Sequence, residues 1–296
     1  MIEFLSKEVI FLKKLFRLFL LGAVISVIVF SSISVFDIFF GDKMFVIKDR
    51  FFSSNEGRMP FPDDLSECET VSIPELIEKG AVFSDSLMLI NSEYPLAENY
   101  APALIDLNGN EVFINECAEK AYSGLKTAVT ENCGDSLYIM SSFRTPDEQK
   151  EIKKAEGDYA ADVYSSEHLT GLALDVYVMY HAGMGFLESD AGKFVNESCH
   201  EHGFIIRYPY YGEETTGIPY EPWHIRYVGL PHSEIIAENK ITLEEYISSF
   251  VPGTFYFYGD YFISRQKEDE IRIPKELHEI AVSPDNTGFY FITGKY

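Results

Sequence analysis

The stretch "GLALDVYV", residues 171–178, sets a carboxylate in the middle of what otherwise reads as a buried strand. Leu172, Leu174, Val176 and Val178 alternate with Ala173, Asp175 and Tyr177. That period of two specifies a β-strand whose aliphatic side faces a core. Asp175 then stands beside small Ala173 on the opposite side. A buried, unpaired carboxylate is costly, so the fold has to bring it a cation or several hydrogen-bond donors. His168, in "SSEHLTGLALDV", is the nearest candidate partner. Along one straight strand the two residues would lie roughly 23 Å apart, and along one helix about 10 Å apart. They meet only if the chain turns between them, and Thr170-Gly171 is where a turn fits.

A second pair of candidate donors lies in "YEPWHIRYVG". His224 opens a strand-like run, and Glu221 precedes it with Pro222 between them, which argues against a regular helix interior. A bend there aims both side chains into one cavity. Two histidines, one carboxylate and an open fourth position make a catalytic zinc site, with Glu221 left over as a base for the water. Spacing alone leaves other readings open. A strand aspartate commonly pairs with Arg, Lys or backbone donors, a lone histidine is commonly a hydrogen-bonded core or surface residue, and His-x6-Asp is not a general metal signature.

The rest of the chain sets the frame. Its 296 residues, 46% hydrophobic, suffice for one substantial core and a small satellite. Acidic residues outnumber basic ones 47 to 24, for a formal charge of -23, which excludes a nucleic-acid partner. The four cysteines, Cys68, Cys117, Cys133 and Cys199, form no CxxC pair, and their spacing leaves any disulfide pairing open. Leu18 to Phe36 carries no charge. That run is long enough to cross a hydrocarbon core of about 30 Å and longer than the roughly 7–15 residues of a signal-peptide apolar region. We therefore expect a cytoplasmic segment over 1–17 and a transmembrane signal-anchor over 18–40. A stalk punctuated by Pro60, Pro62 and Pro74 follows over 41–82, then a main domain over 83–250 and a small β-rich appendage over 251–296. The basic residues flanking the span favour neither side strongly. Large domains translocate regardless of charge, which places the C-terminal bulk outside a single-pass cell-membrane protein.

Within the main domain, helical spacing begins at Asn115, and "LYIMSSF" (137–143) reads as a strand. Thr145, Pro146 and Glu148 read as N-cap, first helical position and capping-box partner of the next helix. A further helix runs from Asp190 to about His202, stopped by Gly203, and "FIIRY" and "HIRYVG" are strand-like. Irregular alternation of this kind predicts an α+β fold with a mostly antiparallel sheet.

"SEHLTGLALDV" and "EPWHIRYVG" together resemble the VanY-type D-alanyl-D-alanine carboxypeptidases, zinc peptidases that trim peptidoglycan stem peptides. The family pattern SxHxxGxAxD is matched by Ser166, His168, Gly171, Ala173 and Asp175, and ExxH by Glu221 and His224. "SSFRTPDEQ" is similar to the family's S-G-[YF]-R-[ST]-x-x-x-Q, with Ser142 where Gly is common. The likeness runs from about residue 86 to residue 248. It implies a hedgehog/DD-peptidase-like fold with helices on one side of the sheet, and one Zn²⁺ per catalytic domain bound by His168, Asp175 and His224. It also implies Glu221 as general base and then acid, Arg144 at the reacting carbonyl, and Ser166 and Gln149 beside the substrate, a stem peptide ending in D-Ala-D-Ala. The position of Arg144, between a strand end and a helix N-terminus, suits an anion, with a structural ion pair as the bland alternative. A D,D-dipeptidase, an L,D-carboxypeptidase, a stem-peptide endopeptidase and a non-catalytic wall-binding protein stay open as alternatives. The intact Glu221 speaks against the last, because binding alone requires no base.

Overall fold

The computed structural model describes residues 43, 45–50, 59–63, 67–157 and 160–296. The chain divides into a unit over Met1–Phe52 and a unit over Ser53–Tyr296. Of the first unit, residues 45–50 are helical. The expected cytoplasmic segment 1–17 and membrane span 18–40 lie outside the described residues, and among the described residues no helix is long and apolar enough to cross a membrane.

The second unit begins with β1 (Phe61–Asp63), β2 (Cys68–Val71), α1 (Ile73–Glu78) and β3 (Val82–Phe83). A short hairpin, β4 (Leu104–Asp106) and β5 (Phe113–Asn115), leads into α2 (Glu119–Cys133), β6 (Tyr138–Ser141) and α3 (Pro146–Glu156). Then come β7 (Ala173–Tyr177), α4 (Asp190–Ser198), β8 (Phe204–Ile206), α5 (Glu213–Thr216) and β9 (His224–Tyr227). Two helices, α6 (His232–Asn239) and α7 (Leu243–Ser249), precede β10 (Phe255–Tyr258), β11 (Tyr261–Gln266), β12 (Ile271–Pro274), β13 (His278–Pro284) and β14 (Tyr290–Lys295).

The site rests on a four-stranded antiparallel sheet of order β6-β7-β9-β8. Leu174, Val176 and Val178 pack with Tyr122, Leu125 and Val129 of α2 and with Val195 of α4 in one aliphatic core. The buried residues of α2 fall at steps of three and four, one stripe of a helix. The α3 capping box forms as the sequence predicts: Thr145 N–H and Oγ1 donate to Glu148 Oε2, and Glu148 N–H donates to Thr145 Oγ1. Because α3 starts just after β6, the cap fixes where Arg144 leaves the sheet.

The second sheet departs from the sequence expectation. Its order is β1-β10-β11-β14-β13-β3, so residues from both ends of the unit build it. β1 pairs with β10, β2 pairs with β12 in a separate ribbon, and β3 runs parallel to β13. The strands over 61–63, 68–71 and 82–83, all but Phe83 within the expected stalk, therefore pair with the β-rich segment expected over 251–296. These strands are too short to show a period, and Pro62 is compatible with β1 because β1 is an edge strand. Along β10 and β11 the side chains alternate. Phe255, Phe257 and Phe262 join Val71, Ile73 and Leu76 on one face, and Tyr256 and Ile263 meet Ile235, Leu243, Tyr246 and Phe250 of the helices on the other. Among the described residues Cys117, Cys133 and Cys199 form no disulfide.

His232 ties the two layers together. It is buried, with Nδ1 2.6 Å from the Tyr246 hydroxyl and Nε2 3.0 Å from Thr293 Oγ1 on β14. Burial pushes its pKa down to about 3. An unfolded chain has an ordinary imidazole, with a pKa of about 6.5. As pH falls below that value, the unfolded state takes up a proton that the native site refuses, and stability declines. His232→Gln is expected to melt lower than wild type near neutral pH, yet to lose less melting temperature on acidification to about pH 5. Equal losses in the two proteins would assign the acid sensitivity to other groups.

Candidate metal centre

His168 reaches Asp175 because the chain reverses between them. A 3₁₀ turn over Glu167–Thr170 ends at Gly171, whose φ is +67°. A Cβ at Gly171 would lie 2.7 Å from Asn115 N and 2.7 Å from Leu104 Cδ2, so only glycine fits both the backbone and the space. Asn115 locks the turn: its N–H donates to Gly171 O at 2.8 Å and its Nδ2 to Thr170 O at 3.1 Å. His168 Nε2 thereby lies 3.4 Å from Asp175 Oδ2.

His224 arrives by sheet register. Asp175 of β7 is paired directly with His224 of β9, and His224 Nδ1 lies 3.0 Å from Asp175 Oδ1. Just before β9 the chain bends at Pro222 in a turn closed by His224 N–H donating to Glu221 O at 3.1 Å. That turn brings Glu221 Oε2 to 3.6 Å from His224 Nδ1. Donor atoms of His168, Asp175 and His224 all lie within 4.8 Å of one another, and the three residues are buried.

The local electrostatics favour a cation at this point. Burial alone would raise the Asp175 carboxyl, but His168 and His224 hold it well below the usual carboxylate range. Burial alone would depress His224, but Asp175, Glu167 and Glu221 lift it to about 9. His168 is depressed, chiefly by burial. Its Nδ1 lies 2.8 Å from Ser142 O, and a carbonyl only accepts, so Nδ1 carries the hydrogen and Nε2 offers its lone pair toward Asp175. The backbone carbonyl of Ser142 thus orients the His168 ring. Asp175 Oδ1 is buried and makes no hydrogen bond despite its closeness to His224, as expected of lone pairs converging on a common ion. Two imidazole nitrogens and a carboxylate oxygen fit zinc.

Arg144 lies at the same point. Its Nη2 donates to Asp175 Oδ2 at 3.1 Å, its Nε to Ser141 Oγ at 2.9 Å and its Nη1 to Gln149 Oε1 at 3.2 Å. Gln149, 1% exposed, also donates from Nε2 to Ala161 O at 3.0 Å, so in this structure its amide holds Arg144 against the α3–Ala161 wall. Ser166 lines the cleft beside His168. The cleft encloses about 320 Å³ and is walled further by Met140, Tyr208, Ile218 and Trp223. The structure also gathers Glu167, Arg207 and Arg226 beside His224, a cluster that the sequence does not announce as one. The signal is present, because Arg226 interrupts an apolar strand just as Asp175 does and Arg207 directly follows one.

Comparison with known proteins points to one family. The family model for D-alanyl-D-alanine carboxypeptidase (VanY) matches residues 111–230, which contain every residue lining the cleft. A D-alanyl-D-alanine carboxypeptidase from Enterococcus faecium is 34% identical over 225 residues, spanning 70% of this chain and 68% of that protein. A bifunctional D-Ala-D-Ala dipeptidase and carboxypeptidase, VanXYC of Enterococcus gallinarum, is 34% identical over 179 residues, spanning 55% of this chain and 93% of that protein. Among solved structures, the D,D-dipeptidase VanXYg in complex with a D-Ala-D-Ala phosphinate analogue superposes with a TM-score of 0.62 at 26% identity, covering 78% of this chain and 100% of that one. The L,D-carboxypeptidase LdcB superposes with a TM-score of 0.50 at 30% identity, covering 64% and 94%. A cleft in which two strands and one glycine turn draw His168, Asp175 and His224 together, in a chain this similar to those enzymes, belongs to a metallopeptidase of the VanY D-alanyl-D-alanine carboxypeptidase family.

Proposed function

We propose that this chain removes the terminal D-alanine from peptidoglycan stem peptides ending in D-Ala-D-Ala, using one Zn²⁺ held by His168, Asp175 and His224. The observation that carries the reading is the convergence of these three donors in one cleft with the Glu221 carboxylate 3.6 Å from His224. When bound, zinc in such a site supplies Lewis acidity and acidifies its water to a pKa of about 7. Glu221 accepts the proton of the attacking water and returns it to the leaving amine of D-alanine. Arg144 presents a fixed guanidinium to the oxyanion of the tetrahedral stage, and Gln149 supports this by holding its Nη1. Ser166, which lines the cleft beside His168, contacts the peptide. The uncharged run over 18–36 supports an anchor in the cell membrane, with the catalytic domain on the outer side where wall peptides lie.

The test is release of D-alanine from a pentapeptide ending in D-Ala-D-Ala, with and without a chelator. We expect chelation to abolish release and zinc to restore it. Parallel reactions with free D-Ala-D-Ala and with a tetrapeptide ending in a single D-alanine separate dipeptidase and L,D-carboxypeptidase action. Chelator-insensitive release, or faster turnover of either alternative substrate, would overturn the proposal.

A further inference from the structure

Behind the ligands lies a set of buried charges that the proposed chemistry does not use. Glu167 precedes His168 and is 1% exposed. Its Oε1 accepts from Arg207 Nε and from Arg226 Nη1, each at 2.7 Å. Arg207 is gripped on its other side by Glu244, at 2.9 and 2.6 Å. Arg226 Nη2 donates to the carbonyls of Ser86 and Met88 at 3.1 and 2.8 Å. Both guanidinium groups are thus fixed, and so is the carboxylate between them. Glu167 Oε2 remains buried without a hydrogen bond, as does Nε2 of His224. These two atoms face each other at 3.8 Å.

We propose that Glu167 is a positioning residue for the metal centre: its Oε2 accepts the Nε2 hydrogen of His224 and so commits the Nδ1 lone pair to the ion. The inference rests on the metal reading of His168, Asp175 and His224. A neutral imidazole has one N–H and one lone pair, and a carboxylate only accepts, so whichever nitrogen meets Glu167 carries the hydrogen. The other nitrogen, Nδ1, is the one near Asp175 and Glu221. A displacement of about 1 Å brings the facing atoms into hydrogen-bond range. The arrangement belongs to a general class in which a carboxylate fixes the tautomer and orientation of a ligating histidine.

Glu167→Gln is a sharp test because the arginines dictate how glutamine must sit. Arg207 and Arg226 only donate, so they claim the carbonyl oxygen and turn the NH₂ toward His224. Nε2 must then accept, which puts the hydrogen on Nδ1, where the metal would bind. In a chelator competition, zinc affinity is expected to fall about 10–100-fold, with the near-ultraviolet circular dichroism of the metal-free protein unchanged. In zinc-loaded wild type, long-range ¹H–¹⁵N spectra should show His224 with its hydrogen on Nε2. Wild-type zinc affinity in a folded Glu167→Gln protein, or a hydrogen on Nδ1 of wild-type His224, would overturn the proposal. The wild-type spectrum decides alone if the variant does not fold. Wild type that takes up no zinc would instead defeat the metal reading itself.

Discussion

Glu221→Gln is expected to lower turnover by about 10²–10⁴-fold while leaving bound zinc unchanged. The two halves of that expectation have separate causes. Glu221 stands outside the group of three converging donors, so removing its charge takes no ligand from the ion. Its Oε2 lies 3.6 Å from His224 Nδ1, at the edge of the donor cluster and lining the cleft, where a proton can be taken from water and passed to a leaving amine. Glutamine preserves shape and hydrogen bonding but cannot accept that proton. The measurement is kcat for D-alanine release beside zinc content by mass spectrometry of the intact protein. Normal turnover would remove Glu221 as the base, and loss of zinc would make it a ligand instead.

His224→Ala is expected to lose both zinc and activity, the latter to the level of chelated wild type. Only His168 and Asp175 would remain, and two protein donors do not make a zinc site of the usual three- or four-ligand kind. The structural cost is separate. Truncation also removes the partner 3.0 Å from a buried carboxylate, and breaking a buried charge pair on one side costs about 3–5 kcal/mol. A lowered melting temperature is therefore part of the expected result. Native mass spectrometry on the folded fraction isolates the metal effect. Full zinc occupancy there would exclude His224 from the ligand set.

Much of the centre is legible in the amino-acid sequence. The two-residue period over 172–178 locates the strand and the odd carboxylate. Gly171 marks the turn, and Pro222 marks the bend that points Glu221 and His224 into one cavity. These features are local, and local chemistry specifies them. The metal itself is not legible from spacing, because an aspartate and a histidine seven residues apart have many bland uses, and the likeness to a known family supplies it. The strands within 61–83 are hidden for a different reason. They are two to four residues long and owe their conformation to partners about 200 residues away in the chain, so no window around them carries a period. Gln149 shows a third kind of difficulty. Its position in the motif points to substrate, whereas its bonds to Arg144 and Ala161 arise only once β6, α3 and the following loop are packed together.

The order of strands in the second sheet bears on how the chain acquires its shape. β14, which follows β11 and β13 in the chain, lies between them near the middle of that sheet, and β1 and β3, which precede both, form its two edges. The sheet therefore cannot close on a nascent chain, and its aromatic faces wait uncovered until residue 295 has emerged. A chaperone guarding the partly made protein would find its client surface there.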